Sequence, residues 1–152
     1  MINIDLLRDV CRVPGAPGYE QRIREFIIKT VTPFVDNVTT DAMGNVIALK
    51  KGVSDKKVMV AAHMDEISFI VTDIDKEGFI RFHTLGGFDA KTLTAQRVII
   101  HGREDVMGVM GTKPIHVLTP EERAKAPKTT DFFIDTGMSY EAISKLVRVG
   151  DT

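Results

Sequence analysis

The sequence has no tryptophan and a single cysteine, Cys11. One thiol cannot close an internal disulfide, so stability must come from packing. Cys11 lies in a helical pattern and reads as a small core hydrophobe. Charge of one sign is also missing: the net charge is −1. A chain so close to neutrality lacks the basic field of a general nucleic-acid or acidic-membrane binder. No run approaches the roughly 20 apolar residues that cross a bilayer. Met1-Ile2-Asn3-Ile4-Asp5 lacks the basic start and long apolar stretch of a secretory leader. The expectations are therefore no nucleic acid, no membrane and a cytoplasmic location. What is present is ordinary for a globular chain: 152 residues, 43% hydrophobic and 27% charged. That length suffices for one domain or two small lobes.

Read in order, the chain opens with helices. Residues 3–13 predict a short helix with Asn3 as N-cap and an apolar stripe of Leu6, Leu7, Val10 and Cys11. Two prolines and two glycines in residues 14–18 make a loop. A second helix is predicted over 19–31, with Ile23, Phe26, Ile27 and Val31 inward. Short strands follow at 34–39 and 46–49 around the turn Asp41-Ala42-Met43-Gly44-Asn45. Together with the apolar run Val58–Ala62 they predict a parallel or mixed sheet, the opening of an α/β domain.

Beyond residue 66 the pattern predicts strands at 67–74, 79–84, 97–101, 106–110 and 132–135, with a hairpin turn at 75–78. Such closely spaced short strands suggest a small barrel or sandwich. Within a long polar segment, Thr119 and Pro120 can start a short helix. A helix over 139–146, with Ala142, Ile143 and Leu146 inward, and a strand at 147–149 are predicted last.

The stretch with the most chemical capacity is Lys57–Phe69. Its apolar run reads as a buried strand that ends in His63-Met64-Asp65-Glu66. Strand side chains alternate, so His63 and Asp65 project to one face. An imidazole that binds a metal through one ring nitrogen can donate the other N–H to such a carboxylate, which fixes the tautomer and raises ligand basicity. A histidine at the end of a buried strand is more often a hydrogen-bonded structural residue than a ligand, and these residues allow that reading too. His83, His101 and His116 stand apart from any cysteine or carboxylate pair at ligand spacing. Gly86-Gly87 lacks the spacing of a phosphate-cradling loop.

The order of motifs resembles the tetrahedral (glutamyl or deblocking) aminopeptidase family of dinuclear metallopeptidases. The similarity is carried by the loop Pro14–Glu20, the Asp41-x-x-Gly44-Asn45 turn, and Ala62-His63-Met64-Asp65-Glu66-Ile67. It continues through Leu85-Gly86-Gly87-Phe88-Asp89, Gln96-Arg97-Val98, Lys113-Pro114, Phe133-Ile134-Asp135-Thr136-Gly137 and Val147-Arg148-Val149-Gly150-Asp151. Ser68 departs from the glycine usual in the family.

The resemblance implies His63 as a ligand of one of two divalent ions (Zn, Co or Mn), with Asp65 orienting it. It implies an incomplete α/β metallopeptidase lobe at residues 1–65. Residues 66–150 would be a β-rich, barrel-like insert through which copies assemble. The complete enzyme would act on peptides, removing N-terminal residues by metal-activated water. The family's remaining ligands and general base belong to later sequence, so this chain alone is expected to be inactive. Two other functions compete with this one. One is a non-enzymatic dimerisation module. The other is a glycan hydrolase, a label sometimes given to this family. That chemistry uses two carboxylates about 5–9.5 Å apart. No such pair stands out, and no tryptophan is present to stack on a sugar.

Overall fold

The computed structural model describes residues 3–152; Met1 and Ile2, part of the leader reading, lie outside the described residues. The protein is a mixed α/β chain. It divides into two compact units, one ending at Glu66 and one running from Ile67 to Thr152.

In the first unit, α1 (Ile4–Val10) begins as its cap predicts. The Leu6 N–H donates to Asn3 Oδ1 at 3.1 Å, which satisfies one of the amides a helix start leaves open. Its apolar stripe is a different matter. Leu6, Leu7 and Cys11 are all exposed, so Cys11 is not the core hydrophobe its pattern predicts. A stripe specifies a face to be covered, and only its Val10 end is half-buried.

α2 (Gln21–Val31) follows its pattern, with Ile23 buried and Phe26, Ile27 and Val31 half-buried. A 3-10 turn over Thr32–Phe34, with Pro33 inside it, delays the first strand beyond its predicted start. β1 (Asn37–Thr40) and β2 (Val46–Leu49) then pair antiparallel, with Asn37 opposite Leu49 and Thr40 opposite Val46.

The hairpin is closed by Asp41. Its Oδ1 accepts from the Met43 and Asn45 N–H groups, both at 2.9 Å, and its Oδ2 from Asn45 Nδ2 at 2.8 Å. Gly44 has φ +88°, a conformation that costs a side chain dearly, and its carbonyl accepts from Arg24 Nε at 2.9 Å. That bond fastens the hairpin to α2.

The expected parallel or mixed sheet over 34–62 is not formed. The hairpin is a two-stranded antiparallel sheet, and residues 58–62 have no regular secondary structure. Val58, Met59 and Val60 are 89%, 89% and 93% exposed. A strand needs a neighbour to take its N–H and C=O groups. Among the described residues this run has none.

The second unit is a curled five-stranded antiparallel sheet in the order β3-β4-β7-β6-β5. The strands are β3 (Ser68–Ile74), β4 (Ile80–Leu85), β5 (Arg97–His101), β6 (Asp105–Thr112) and β7 (Phe132–Asp135). The predicted turn joins β3 to β4, and β3 carries a register shift between Val71 and Asp73. Val71, Ile80, Leu93, Ile100, Val106, Met110, Phe132, Ile134, Ile143 and Val147 make one buried cluster. Burying each large apolar side chain contributes about 1.5–3 kcal/mol before entropy is counted.

In the polar segment, α3 (Pro120–Arg123) carries a reciprocal cap between Thr119 and Glu122, as the sequence predicts. The last helix, α4 (Tyr140–Ile143), is shorter than predicted, and Ala142 is exposed rather than inward. Residues 147–149 form no strand, although Val147 is buried. Instead the next residues lie beside β3: the Gly150 N–H donates to Val71 O at 2.9 Å, and the Val71 N–H to Asp151 O at 2.8 Å. The His101 N–H of β5 donates to Thr152 O at 2.7 Å. Residues 150–152 thus touch both end strands of the curled sheet. Among the described residues no helix is long and apolar enough to cross a membrane.

Candidate metal-ligand site

His63 and Asp65 are brought together, although the segment leading to them is not a strand. His63 Nδ1 lies 3.0 Å from Asp65 Oδ1 and 2.9 Å from the Asp65 carbonyl oxygen. Both neighbours are acceptors, so Nδ1 carries the proton and donates. In the neutral ring Nε2 then holds the free lone pair. The His63 side chain is 83% exposed, and Nε2 has no hydrogen-bond partner among the described residues. This is an imidazole with one nitrogen oriented and the other presented.

The peptide carrying the pair is anchored by the proline- and glycine-rich loop. The Glu66 N–H donates to Gly15 O at 2.8 Å. Gly15 is buried, and a Cβ there would lie 3.0 Å from Ile23 Cγ2 and 3.2 Å from the Met64 carbonyl oxygen. The loop therefore passes tightly between α2 and the His63 segment.

The Asp41 carboxyl is held below the usual carboxylate range, first by the Asn45 side-chain amide and then by the Asn45 backbone N–H. Those bonds occupy both its oxygens in the turn. Glu122 is likewise held low, first by the Thr119 N–H and then by Lys113. Both carboxylates are committed to local structure.

A second histidine–carboxylate pair escaped the sequence reading. His101 Nδ1 lies 2.8 Å from Asp105 Oδ1 across the β5–β6 turn, a single carboxylate and not a ligand pair. The signal was available: strands ending and starting four residues apart face each other across a tight hairpin. His83 and His116 are exposed, on β4 and in a 3-10 turn. Among the described residues no three His, Cys, Asp or Glu side chains converge as a metal site.

The comparisons with known proteins agree with the motif order. Residues 44–152 match the family described as M42 glutamyl aminopeptidase. A lysyl aminopeptidase of Pyrococcus furiosus is 40% identical over 119 residues, which is 77% of this chain and 34% of that protein. The crystal structure of a TET aminopeptidase from the marine sediment archaeon Thaumarchaeota archaeon SCGC AB-539-E09 overlays with TM-score 0.90 at 35% identity, covering 97% of this chain and 42% of that one. The TET1 peptidase of Pyrococcus horikoshii, which can assemble into a tetrahedron or a large octahedral shell, overlays with TM-score 0.83 at 35% identity, covering 97% of this chain and 44% of that one.

The comparisons place the chain in a family of metal-dependent aminopeptidases. It belongs to the M42 glutamyl aminopeptidase family. It spans about two fifths of the length of the curated relatives it matches. The family works with divalent metal. Tested against that, the residues present fit in part. His63 can supply one nitrogen ligand, while a centre holding two ions needs several more donors than converge here.

Proposed function

We propose that these 152 residues supply one side of the metal centre of an aminopeptidase that removes N-terminal residues from peptides. His63 would be the ligand and Asp65 the group that holds its ring. The observation that carries this is the pair itself: a proton donated from Nδ1 to Asp65 and an exposed Nε2, inside the stretch matched to the family. When bound, the divalent ions (Zn, Co or Mn) would polarise the scissile carbonyl and acidify water. The chain's own part is to fix the imidazole. The Gly15–Glu66 backbone bond supports that by holding the peptide on which both residues sit.

In this reading residues 1–65 are part of a catalytic α/β domain and 66–150 an inserted β-rich domain. The support is topological. Gly150 and Asp151 bond to Val71, so the chain leaves the second unit beside the strand by which it entered. A unit whose ends lie together can sit within another fold with little distortion. The inserted unit would also join copies of the chain, as the assembling TET1 peptidase of Pyrococcus horikoshii makes reasonable.

With so few ligands, the chain by itself should not turn over peptides. Purified protein should release no N-terminal amino acid from lysyl or glutamyl p-nitroanilides with Zn, Co or Mn. Calorimetry should find at most one zinc ion, bound at least roughly tenfold more weakly after His63→Ala, the usual scale for losing a ligand or its support. Metal-dependent turnover, or tight binding of two ions lost with His63, would overturn the partial-site reading.

A further inference from the structure

The peptide unit between Asp65 and Glu66 is bonded on both of its sides. Its N–H donates to the Gly15 carbonyl at 2.8 Å, and its C=O lies 2.9 Å from His63 Nδ1. A trans peptide is planar, so the direction of its N–H sets the direction of the carbonyl opposite. Hydrogen bonds joined in such a chain also polarise one another. His63 Nδ1 is therefore held twice. One acceptor is the Asp65 carboxylate, and the other is a main-chain carbonyl aimed by the Gly15 loop.

The loop is fixed in turn by Glu20. Between Gly15 and α2 the backbone has one soft point, Gly18, at φ +84° next to the locked ring of Pro17. The Gly18 N–H donates to Glu20 Oε1 at 2.6 Å. The side chain at a helix N-cap ordinarily accepts from the amides ahead of it. Glu20 holds the N-cap position of α2, makes no such bond, and reaches back into the loop instead. Its Oε2 lies 3.7 Å from Arg24, whose Nε donates to the Gly44 carbonyl. Both side chains are half-buried, so this carboxylate is not a loose surface charge.

We propose that Glu20 is a positioning residue for His63. It acts through Gly18, the Gly15 carbonyl and the Asp65–Glu66 peptide, and it keeps the proton on Nδ1 so that Nε2 retains the free lone pair. The inference rests on the reading of His63 as a metal ligand, and it names what orients that ligand besides Asp65.

The test is the tautomer of His63 in the full chain, read from its imidazole nitrogen shifts by nuclear magnetic resonance. The buffer is mildly alkaline, where histidine rings are neutral. An imidazole held by no acceptor averages over both tautomers. The unmodified ring should carry its proton on Nδ1. Glu20→Ala should raise the share protonated on Nε2 roughly threefold, the scale of one lost neutral hydrogen bond. Glu20→Asp should do the same, since it draws the carboxylate back by one methylene while keeping the charge and a good helix cap, so α2 stays folded. Glu20→Gln still offers an oxygen to the Gly18 N–H and should keep the unmodified shifts. Asp41→Ala, which loosens the hairpin turn and leaves the loop alone, should not move the tautomer. Zinc calorimetry on the same proteins should follow the tautomer, with weaker binding for Glu20→Ala and Glu20→Asp and unchanged binding for Glu20→Gln.

A tautomer indifferent to both Glu20→Ala and Glu20→Asp would overturn the proposal and leave the ligand reading standing. An equal shift in Glu20→Gln would overturn the route through Gly18. Tautomer shifts that track Glu20, with zinc binding indifferent to Glu20→Ala and to His63→Ala alike, would overturn the ligand reading and the role of Glu20 toward the metal with it.

Discussion

The two units of this chain treat their apolar residues differently. In Ile67–Thr152 ten apolar side chains are buried in one cluster. In the unit that ends at Glu66 only Ala16 and Ile23 among the described apolar residues reach that burial, while Leu6, Leu7, Ile47, Leu49 and Val58–Val60 stay exposed. Composition does not separate them, since both read as alternating or periodic apolar sequence. The difference is whether a second layer exists to receive each face. The curled sheet of the second unit folds over itself, and its inner face meets α4 and the turns around Leu93. The β1–β2 hairpin has two strands, and a two-stranded hairpin is marginal without further cover.

The largest effect that would sharpen this contrast is truncation in the buried cluster. Ile134→Ala or Ile80→Ala should cost about 2–5 kcal/mol in the second unit. Ile47→Ala in the first should fall within about 0.5 kcal/mol, as for exposed positions. Urea unfolding followed by near-ultraviolet circular dichroism measures both, and equal costs would break the comparison.

Next is overpacking. A Cβ at Gly108 would run into Ile134 Cγ2, so Gly108→Ala should cost roughly 1–3 kcal/mol by the same measurement. Gly52, with nothing near its Cβ, should accept alanine with little change.

Amide hydrogen exchange should show the same boundary without mutation. The ladder amides of β6 and β7 should exchange through global opening, and those of 58–62 near the rate of an unstructured chain. Slow exchange at Val60 would mean that the run has a partner after all.

The smallest effect concerns acid. Hydrogen bonds hold Asp41 below its ordinary value of 3.8, so the folded turn prefers the charged carboxylate. The sign follows from linkage: this stabilisation is present above the unfolded value and is lost as pH falls through the lower folded one. Nuclear magnetic resonance of the Asn45 amides should show the turn loosening only in that acid range, and Asp41→Ala should abolish the transition. A turn that loosens above the ordinary value would contradict the hydrogen-bond account.

Much of the chain could be read residue by residue. The Asn3 and Thr119 caps, the Asp41 and Asp75 turns and most strands of the second unit fall close to where the pattern puts them. Each is decided within a few residues, by a side chain that satisfies a nearby amide or by simple alternation. The His63–Asp65 contact belongs with them, because two positions' separation suffices whether or not a strand forms. The misses share a cause. The apolar character of Cys11 and Val58–Val60 predicts burial, and neither is buried. His101–Asp105 was missed because it depends on the hairpin register.

The sequence by itself therefore determined the local alphabet of this protein: caps, turns, strand alternation, and an imidazole held by a carboxylate two residues on. The tertiary structure alone decided which apolar runs are covered, which histidine meets which acid across a turn, and how residues 150–152 lie against both end strands of the curled sheet. The physical reason is range. A hydrogen bond over a few positions needs only its own segment, whereas burying a face needs a partner from elsewhere, and a segment's own pattern cannot say whether one arrives.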